Sequence, residues 1–314
     1  MPSLDQRVAR SRKQGIALLT VLWAVVMISL IATTFLRDIR TQAQLARNGL
    51  DVAQARALAD AAVHRAVYAV SELAFEDRWR ADGRVYRWSF ADGVVRISIR
   101  DETGKVDLNA APEALLRGLF LAAGATDESA AALADAVADF RDSDDLRRPN
   151  GAEDADYEAA DLERGAKDAP FDKVTELRTV IGMTVELYER VAPAVTVYSG
   201  LPTIDPLSAP PLALLAVPGA DAAEIERFLA ERAEAKSEFE LESLTISSLD
   251  GADDYLSSED SALVFSVQAE AHGSSGGIFV RDAVVGLGSG DGRPFSIMAW
   301  KRGAGPLATP PSIE

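Results

Sequence analysis

An uncharged, largely apolar stretch near the amino terminus, Gly15 to Leu36, constrains this chain more than any other feature. From Ile16 onward it is long enough for a helix to cross a bilayer core of roughly 30 Å. Four basic residues, Arg7, Arg10, Arg12 and Lys13, precede it. The run is longer than the apolar region of a cleaved secretory signal, which has about 7–15 residues. We therefore expect a single membrane-spanning helix with a cytoplasmic amino terminus and an exported body.

The position of Gly15 leaves two interpretations of this segment open. A small residue between a basic leader and an apolar run would let a protease on the cytoplasmic face remove the leader and leave the helix intact. Alternatively, Gly15 simply precedes an ordinary signal anchor that is never cut. Composition favours neither interpretation.

The rest of the chain is acidic and contains no cysteine. Its 314 residues carry a formal net charge of -17, which disfavours nucleic acid or an anionic membrane surface as a partner of the exported part. Without Cys there is neither a disulfide nor a thiolate site. His64 and His272 have no nucleophile or metal ligand near them in sequence, and the chain has no P-loop or dinucleotide fingerprint. We therefore expect a protein that is not an enzyme.

Periodicity predicts an α+β core around the continuation of the first helix. A hairpin is expected over residues 85–100, with its turn at Asp92-Gly93, and further strands near the carboxyl end should join it in one antiparallel sheet. The helix itself should continue from residue 37 to about residue 76 and pack on that sheet. Three- and four-residue steps predict its apolar face as Ala43, Ala46, Leu50, Ala53, Ala57, Ala61 and Val67.

Between these strands, about residues 105–260 have helical periodicity and contain two internal echoes. The segment Val106–Pro112 resembles Ile204–Pro210, and each leads into a Leu-rich helix. The segment Phe171–Leu177 resembles Phe239–Leu244. We therefore expect two copies of a small helical unit.

Carboxylates are concentrated in the segment Asp139–Tyr157. At alternate positions of a loop, such groups can converge on one hard cation, and Ca²⁺ takes 6–8 oxygen ligands in proteins. The spacing is not that of an EF-hand. Since a solvated acidic loop would show the same spacing, both interpretations stay open here.

Several of these motifs resemble the type IV prepilin superfamily and, within it, the minor pseudopilin K family of type II secretion systems. The leader Lys13–Gly15 followed by Ile16–Leu22 is similar to a pseudopilin cleavage site. Most members carry Glu at the fifth mature position, where this chain has Thr20, and the K family is known for this departure. The motif Asp107–Pro112, the acidic run and the segment Val195–Gly200 follow in the family's order.

The resemblance implies an α+β, pilin-like fold with a large inserted all-α domain. Within the insert, Val180–Met183 and Val217–Ala220 resemble the hairpins of helix-hairpin-helix or SAM-like units. The implied division is a prepilin leader at 1–15, a transmembrane helix at 16–36, a discontinuous pilin-like domain at 37–104 and 261–302, the inserted domain at 105–260 and a disordered tail at 303–314.

The resemblance also implies two sites. Prepilin peptidase would cut between Gly15 and Ile16, and the new Ile16 amine would be methylated. Calcium would bind the acidic run and help to order it in the absence of Cys. Carried over residue by residue, the expected ligands are Asp142, Asp144, Glu153 and Asp156, with Asp139 and Asp154 in reserve.

The implied function is that of a non-enzymatic minor pseudopilin at the tip of the pseudopilus, which initiates its assembly for export of folded proteins across the outer membrane. The implied partners are the minor pseudopilins I and J, other pseudopilins and the inner-membrane secretion platform, with the bulk of the chain in the periplasm. One rival is a membrane-anchored periplasmic DNA-uptake protein that uses the hairpins, although Asp221, Glu224 and Glu226 oppose phosphate binding there. Another is an anchored scaffold whose Gly15 is never cut.

Overall fold

The computed structural model consists of one long helix, a five-stranded antiparallel sheet and a block of short helices. It describes residues 4–71, 78–91, 93–162, 165–246, 249, 252–258, 263–273, 276–288, 293–305 and 307, without the side chains of residues 4–17 and 238. The helices are α1 (Leu4–Val70), α2 (Glu113–Ala122), α3 (Asp127–Arg141), α4 (Asp154–Ala159), α5 (Val185–Val191), α6 (Pro211–Leu215), α7 (Ala222–Glu234) and α8 (Glu238–Glu242). The strands are β1 (Asp82–Phe90), β2 (Gly93–Asp101), β3 (Val106–Asp107), β4 (Val195–Thr196), β5 (Val264–His272), β6 (Ile278–Leu287) and β7 (Phe295–Arg302), and short 3-10 helices span Glu102–Gly104, Val174–Thr179 and Ala192–Ala194.

Helix α1 runs without a break from the apolar amino-terminal segment into the folded body. Its side chains are exposed from residue 18 to residue 50, and its length and composition allow it to cross a membrane. Burial begins at Ala55. From there Ala59, Ala62, Val63 and Ala66 pack against the sheet and are at most 1% exposed. The first part of the helix is therefore a free stem, and the second part belongs to the protein core.

The predicted apolar face of this helix is wrong except at its end, where Val67 is buried against the sheet and Ala61 is half-buried. Ala43, Ala46, Leu50, Ala53 and Ala57 are exposed, and at 3.6 residues per turn they lie on the side of the helix opposite the buried alanines. Because alanines recur on both sides, their spacing alone could not identify the buried side. Helix α1 therefore has a second apolar face that the sheet does not cover, the free stripe, formed by Ile39, Ala43, Ala46, Leu50, Ala53 and Ala57.

The sheet has the strand order β1-β2-β5-β6-β7, so strands from before and after the helical block lie side by side. The predicted hairpin is confirmed as β1 and β2, although Asp92 of its turn lies outside the described residues. Val95, Ile97 and Ile99 alternate along β2, are fully buried and join the same hydrophobic cluster as α1. The predicted antiparallel arrangement is therefore present.

The two ends of the sheet face different parts of the molecule. At one end two glycines approach α1 closely, near the start of its buried part. A Cβ atom added to Gly93 would lie 2.2 Å from Leu58, and one added to Gly277 would lie 3.3 Å from Asp51. At the other end the Trp79 N–H donates to the Ala69 carbonyl at 3.0 Å, and β2 finishes at Asp101. The helical block starts directly after Asp101, so it lies at the end remote from the free stem.

A second hydrophobic core fills the helical block and shares no described residue with the first. It is formed by α2, α3 and the following short helices, with fully buried side chains such as Leu116, Leu119, Phe120 and Leu214. The domain boundaries at residues 105 and 260 remain predictions.

The first predicted echo forms the same turn twice. The Asp107 carboxylate accepts from the Asn109 N–H at 2.8 Å, and the Asp205 carboxylate accepts from the Leu207 N–H at 3.0 Å. A proline caps the helix that follows each turn, Pro112 before α2 and Pro210 before α6. Sequence similarity here corresponds to equivalent local structure.

An arginine donates hydrogen bonds to each of these turns, from α3 in the first case and from α7 in the second, a contact that we call the arginine clamp. The Arg141 guanidinium donates to the Leu108 and Ala111 carbonyls at 2.6 and 2.9 Å. The Arg232 guanidinium donates to the equivalent carbonyls of Pro206 and Ala209, both at 2.8 Å. Burial lowers the pKa of both arginines, that of Arg232 to about 10. The duplicated unit therefore includes α2–α3 in one copy and α6–α7 in the other.

A glycine of positive φ precedes three of the helices by three residues. Gly124, Gly182 and Gly219 have φ values of 95°, 83° and 89°, and α3, α5 and α7 follow them. Such φ values strongly favour Gly, which lacks a Cβ atom. The two predicted hairpins therefore have similar backbone geometry, while their membership of the helix-hairpin-helix or SAM-like class remains a prediction.

Two contacts tie distant parts of the chain to the sheet. The Arg80 guanidinium donates to the carbonyls of Arg232 and Ala235 at 2.7 and 3.1 Å, which joins the end of α7 to the segment before β1. Leu307, in the region predicted as a disordered tail, is instead buried, and its N–H donates to the Glu270 carboxylate at 2.6 Å. Residues 306 and 308–314 of that tail lie outside the described residues.

Candidate functional site

Acidic side chains converge where α3 ends. Asp135 and Asp139 lie one turn apart on this helix and are only 2% and 0% exposed. Buried carboxylates must be paired or hydrogen-bonded, because removing a charge from water is costly. The Asp135 carboxylate accepts from the N–H and the side-chain amide of Asn150, at 2.9 and 3.0 Å. This contact brings the loop after α3 back onto the helix.

Arg148 neutralises the two acids at the centre of this loop. Its guanidinium lies 2.6 Å from both an Asp139 oxygen and an Asp142 oxygen, and its N–H donates to the second Asp139 oxygen at 3.2 Å. These two carboxylates raise the pKa of Arg148 above its usual range. Gly151 packs so closely that an added Cβ atom would lie 2.0 Å from an Asp139 oxygen. Asp139 is therefore fully enclosed by protein groups.

The other predicted ligands are placed differently. Asp156 accepts from Arg147 at 2.8 Å and from the Glu153 N–H at 3.1 Å at the start of α4. Asp144 is exposed and accepts from the Leu146 N–H at 3.0 Å in its own turn. Asp154 is also exposed. Asp156, Asp144 and Asp154 therefore do not converge with Asp139 on one enclosed point.

Glu153 and Asp142 each have an oxygen atom without a partner. Glu153 Oε1 and Asp142 Oδ1 are buried and accept no hydrogen bond. Burial, and then the nearby charges of Asp139, Asp142, Asp168 and Asp145, raise the pKa of Glu153 to about 7. Such a buried carboxylate either binds a proton or requires a positive charge.

Among the residues that the structure describes, no group of three or more His, Asp or Glu side chains is arranged as a finished metal site. The two unpaired oxygens and the crowded negative charge nevertheless fit a hard cation beside Asp142 and Glu153. Asp145 and Asp168 add to this negative charge and were not among the predicted ligands. Asp168 has a φ of 52°, and no spacing signal links it to the acidic run.

The predicted cleavage residues lie in the stem. Gly15 and Ile16 belong to α1, but their side chains are outside the described part of the structure. Thr20 is exposed one turn further along. Cleavage, methylation and calcium binding all remain predictions.

The family model for type II secretion system protein K matches residues 96–200. These residues extend from β2 through the acidic loop to the segment after β4. The chain is also 28% identical over 205 residues to type II secretion system protein K of Klebsiella pneumoniae. Over these parts the chain is similar to type II secretion system protein K.

The alignment with this protein K relative covers 59% of the chain and 62% of the relative's length. A solved structure, that of the GspK-GspI-GspJ complex from the type 2 secretion system of enterotoxigenic Escherichia coli, contains a chain of similar fold, with a TM-score of 0.57 and 19% identity. This match covers 85% of our chain and 99% of the solved one. The long helix, antiparallel sheet and helical block therefore form a fold that a solved secretion-system protein shares.

Proposed function

We propose that this chain is a member of the protein K family and, as such, a non-enzymatic minor pseudopilin that occupies the tip of the type II secretion pseudopilus and initiates its assembly. The observation that carries the proposal is helix α1, which is a free apolar stem over its first half and a core helix over its second. A chain built in this way can be held in the inner membrane before assembly and can then pack by its stem against neighbouring stems.

The free stripe supports lateral packing of the stem. Ile39, Ala43, Ala46, Leu50 and Ala53 follow one another at four- and three-residue steps, the spacing at which helices pack side by side. Small residues at such positions permit close approach of two helices. The sheet covers the opposite side of α1, so the stripe stays available to another subunit.

Two features favour the tip over the body of a filament. Thr20 stands where most pseudopilins are expected to have Glu, so this subunit lacks the carboxylate that would neutralise the amino terminus of a subunit ahead of it. The helical block enlarges the end of the sheet remote from the stem, where the next subunit of a filament body would have to pack. Both features are compatible with a subunit that has neighbours below it and none above.

The proposed partners are the minor pseudopilins I and J. The solved complex of similar fold contains proteins with those names. Prepilin peptidase would process the chain between Gly15 and Ile16, and the secretion platform of the inner membrane would receive it, with the body in the periplasm. The role consists of assembly and requires no catalytic residue.

Processing is tested by the intact mass and amino-terminal sequence of the protein isolated from membranes of its native host. We expect a chain that begins at Ile16 with an added methyl group. A Gly15→Asp variant should keep its leader. A wild-type chain that still begins at Met1 or Pro2 in a host with active peptidase would contradict the pseudopilin assignment and favour an ordinary signal anchor.

Partner choice is tested by co-purification of the full chain with tagged pseudopilins I and J. We expect the wild type to be recovered with both. Ala46→Arg on the free stripe should reduce recovery severalfold, whereas Gln44→Arg, on an exposed polar side of the same helix, should not. Equal recovery of the two variants would exclude the stripe as the packing surface.

We also propose that the acidic loop binds Ca²⁺ through Asp142 and Glu153. Their unpaired buried oxygens support this, together with the raised pKa of Glu153. Asp142 is also paired with Arg148 through its other oxygen, so it offers the ion only Oδ1. Asp139 and Asp156 are paired with arginines as well, and they would hold the ion only after those pairs rearrange. A bound divalent cation would stabilise the loop by offsetting the charge repulsion among the acids.

Calcium titration of the purified chain, followed by calorimetry and by thermal unfolding, tests this site. We expect Ca²⁺ to raise the Tm of the wild type and to have little effect on Glu153→Gln. Glu158→Gln, at an exposed position of α4, the helix that directly follows Glu153, is the matched control and should respond like the wild type. A Ca²⁺ response that survives in Glu153→Gln would place any calcium site elsewhere.

A further inference from the structure

A buried arginine lies between α1 and the sheet with one of its donor groups unused. Arg281 of β6 is 4% exposed, and its Nε donates to an Asp60 oxygen of α1 at 2.7 Å. Its guanidinium lies between the rings of Phe279 and Trp300, 5.0 and 4.8 Å from their centres. Its Nη2 is buried and has no hydrogen-bond partner. An unpaired buried donor of this kind is destabilising, because it has lost its hydrogen bond to water and gained none.

A second arginine lies beside it at the edge of the sheet. Arg302 of β7 is the cross-strand partner of Arg281, so both side chains leave the same face. Its guanidinium lies 5.5 Å from the centre of the same Phe279 ring and is exposed. Like charges at directly paired positions are destabilising unless an opposite charge offsets them.

The charge balance here is opposite to that of the whole chain. The Asp60 carboxylate, which accepts from Arg281, also lies 3.9 Å from the Nε of Arg56. Two guanidinium groups thus share one carboxylate, and Arg302 adds a third positive charge beside Arg281, in a protein of net charge -17. The surplus positive charge, the unpaired donor and the position beside the outermost strand define an anion-accepting surface, which we call the arginine edge and which consists of Arg281, Arg302 and Arg56.

We propose that the arginine edge receives a carboxylate side chain of a neighbouring pseudopilin. This inference rests on the proposed function, because it requires a subunit packed beside α1 and β7. A carboxylate has two oxygens with lone pairs in one plane, which match guanidinium donors. Bound at the exposed Arg302 guanidinium, beside Arg281, it would offset the repulsion between the two like charges, and it would accept from the buried Nη2 once the Arg302 side chain moves aside.

A lipid phosphate is a poor alternative source of this anion. Asp60, to which Arg281 is bonded, lies 24 residues beyond Leu36, where the apolar run ends. At 1.5 Å per residue the arginine edge therefore stands about 36 Å above the membrane end of the stem. That distance is several times the Debye length of about 8 Å at physiological salt. An acidic side chain of a protein partner fits this height.

The test is the affinity of the full chain, in detergent, for the co-purified pair of pseudopilins I and J at low salt. The variant is Arg302→Glu, and the matched control is Lys301→Glu, the adjacent exposed cation on the same strand but on its other face. We expect Arg302→Glu to weaken binding at least tenfold and Lys301→Glu to change it less than twofold. Arg302→Lys should fall between the wild type and Arg302→Glu, because it keeps the charge but loses the paired donors.

The outcomes separate this inference from the proposed function. If the wild type binds the pair and Arg302→Glu binds equally well, the arginine edge is not the contact and the inference is overturned, while the proposed function stands. Equal weakening by Arg302→Glu and Lys301→Glu also overturns it, because only net charge would then matter. If the wild type does not bind the pair at all, both the proposed partner choice and this inference fail.

Discussion

The two copies in the helical block share their turn, their proline cap and their arginine clamp, but they have diverged in the segment after the clamp. In the first copy residues 142–170 separate Arg141 from Phe171, and they carry the acidic loop. In the second copy only residues 233–238 separate Arg232 from Phe239. The first copy thus contains the candidate calcium site. The second copy contacts the segment before the sheet, because Arg80 donates to the Arg232 carbonyl at the end of α7.

One residue accounts for a further difference between the copies. The Asn109 amide accepts from the Phe171 N–H at 2.7 Å and donates to the Phe171 carbonyl at 3.0 Å. Phe171 is 3% exposed and stacks on Phe140 at 4.8 Å. The second copy has Leu207 in place of Asn109, and its Phe239 is 79% exposed. A repeated sequence therefore keeps its helices when the contact that docks its last element is lost.

The clamps should differ in strength, because Arg232 is more deeply buried than Arg141. We expect Arg232→Met to lower the free energy of unfolding by about 3 kcal/mol, since two buried carbonyls lose their donor. Arg141→Met should cost about 1–2 kcal/mol, because water can reach part of its surroundings. Urea denaturation of both variants measures the difference, and equal losses would mean that burial does not distinguish the copies.

Replacing Asn109 with the residue of the second copy should make the first copy resemble it. We expect Asn109→Leu to release Phe171 and to cost about 2–3 kcal/mol, from two lost hydrogen bonds and the exposure of an aromatic ring. Asn109→Asp keeps the acceptor and loses the donor, so about half of that loss is expected. Hydrogen exchange at Phe171 with urea denaturation tests this, and a Phe171 N–H still protected in Asn109→Leu would contradict it.

The contact between the copies should be sensitive to one methyl group. Gly118 of α2 approaches Ala216 so closely that an added Cβ atom would lie 1.9 Å from the Ala216 carbonyl oxygen. Gly118→Ala should therefore cost about 1–3 kcal/mol through overpacking. Gly49→Ala is the control, because Gly49 has no atom within 4 Å of that position. The control should stabilise α1 by up to about 1 kcal/mol, and a stabilising Gly118→Ala would show that the copies are loosely packed.

The junction between sheet and helical block should give the smallest effect, a dependence of stability on pH. Burial raises the pKa of Asp101 to about 6, although its carboxylate accepts from Thr103. The unfolded value is about 3.9, so the native state binds this proton more tightly between pH 4 and 6. Asp101 should therefore make the free energy of unfolding fall by about 1–2 kcal/mol as pH rises through that window. Urea denaturation from pH 4 to 7 should show a flatter profile for Asp101→Asn, and identical profiles would exclude Asp101 as the cause.

Much of the fold could be predicted because its strands and turns follow from the spacing of residue types over short segments. The alternation of Val95, Ile97 and Ile99 predicts β2, and the echo at Asp107 and Asp205 predicts a turn that the structure shows twice. The hairpin at Gly124 is not predicted, although the signal for it is present in the sequence. In all three hairpins a Gly lies two residues before the residue that caps the following helix, in the pairs Gly124/Thr126, Gly182/Thr184 and Gly219/Asp221. The acidic run was visible in sequence, but the unpaired oxygens of Asp142 and Glu153 were not.

The apolar stem, the strands, the helices and the duplication are encoded locally, because each depends on residue types at short, regular intervals. Which of two alanine faces of α1 is buried depends instead on packing, since both faces satisfy the same helical spacing and the sheet covers one. Packing also decided that Arg148 would neutralise Asp139 and that Arg281 would keep an unused donor. Such pairings join residues from separate elements, and no local pattern specifies which charges will meet when those elements pack.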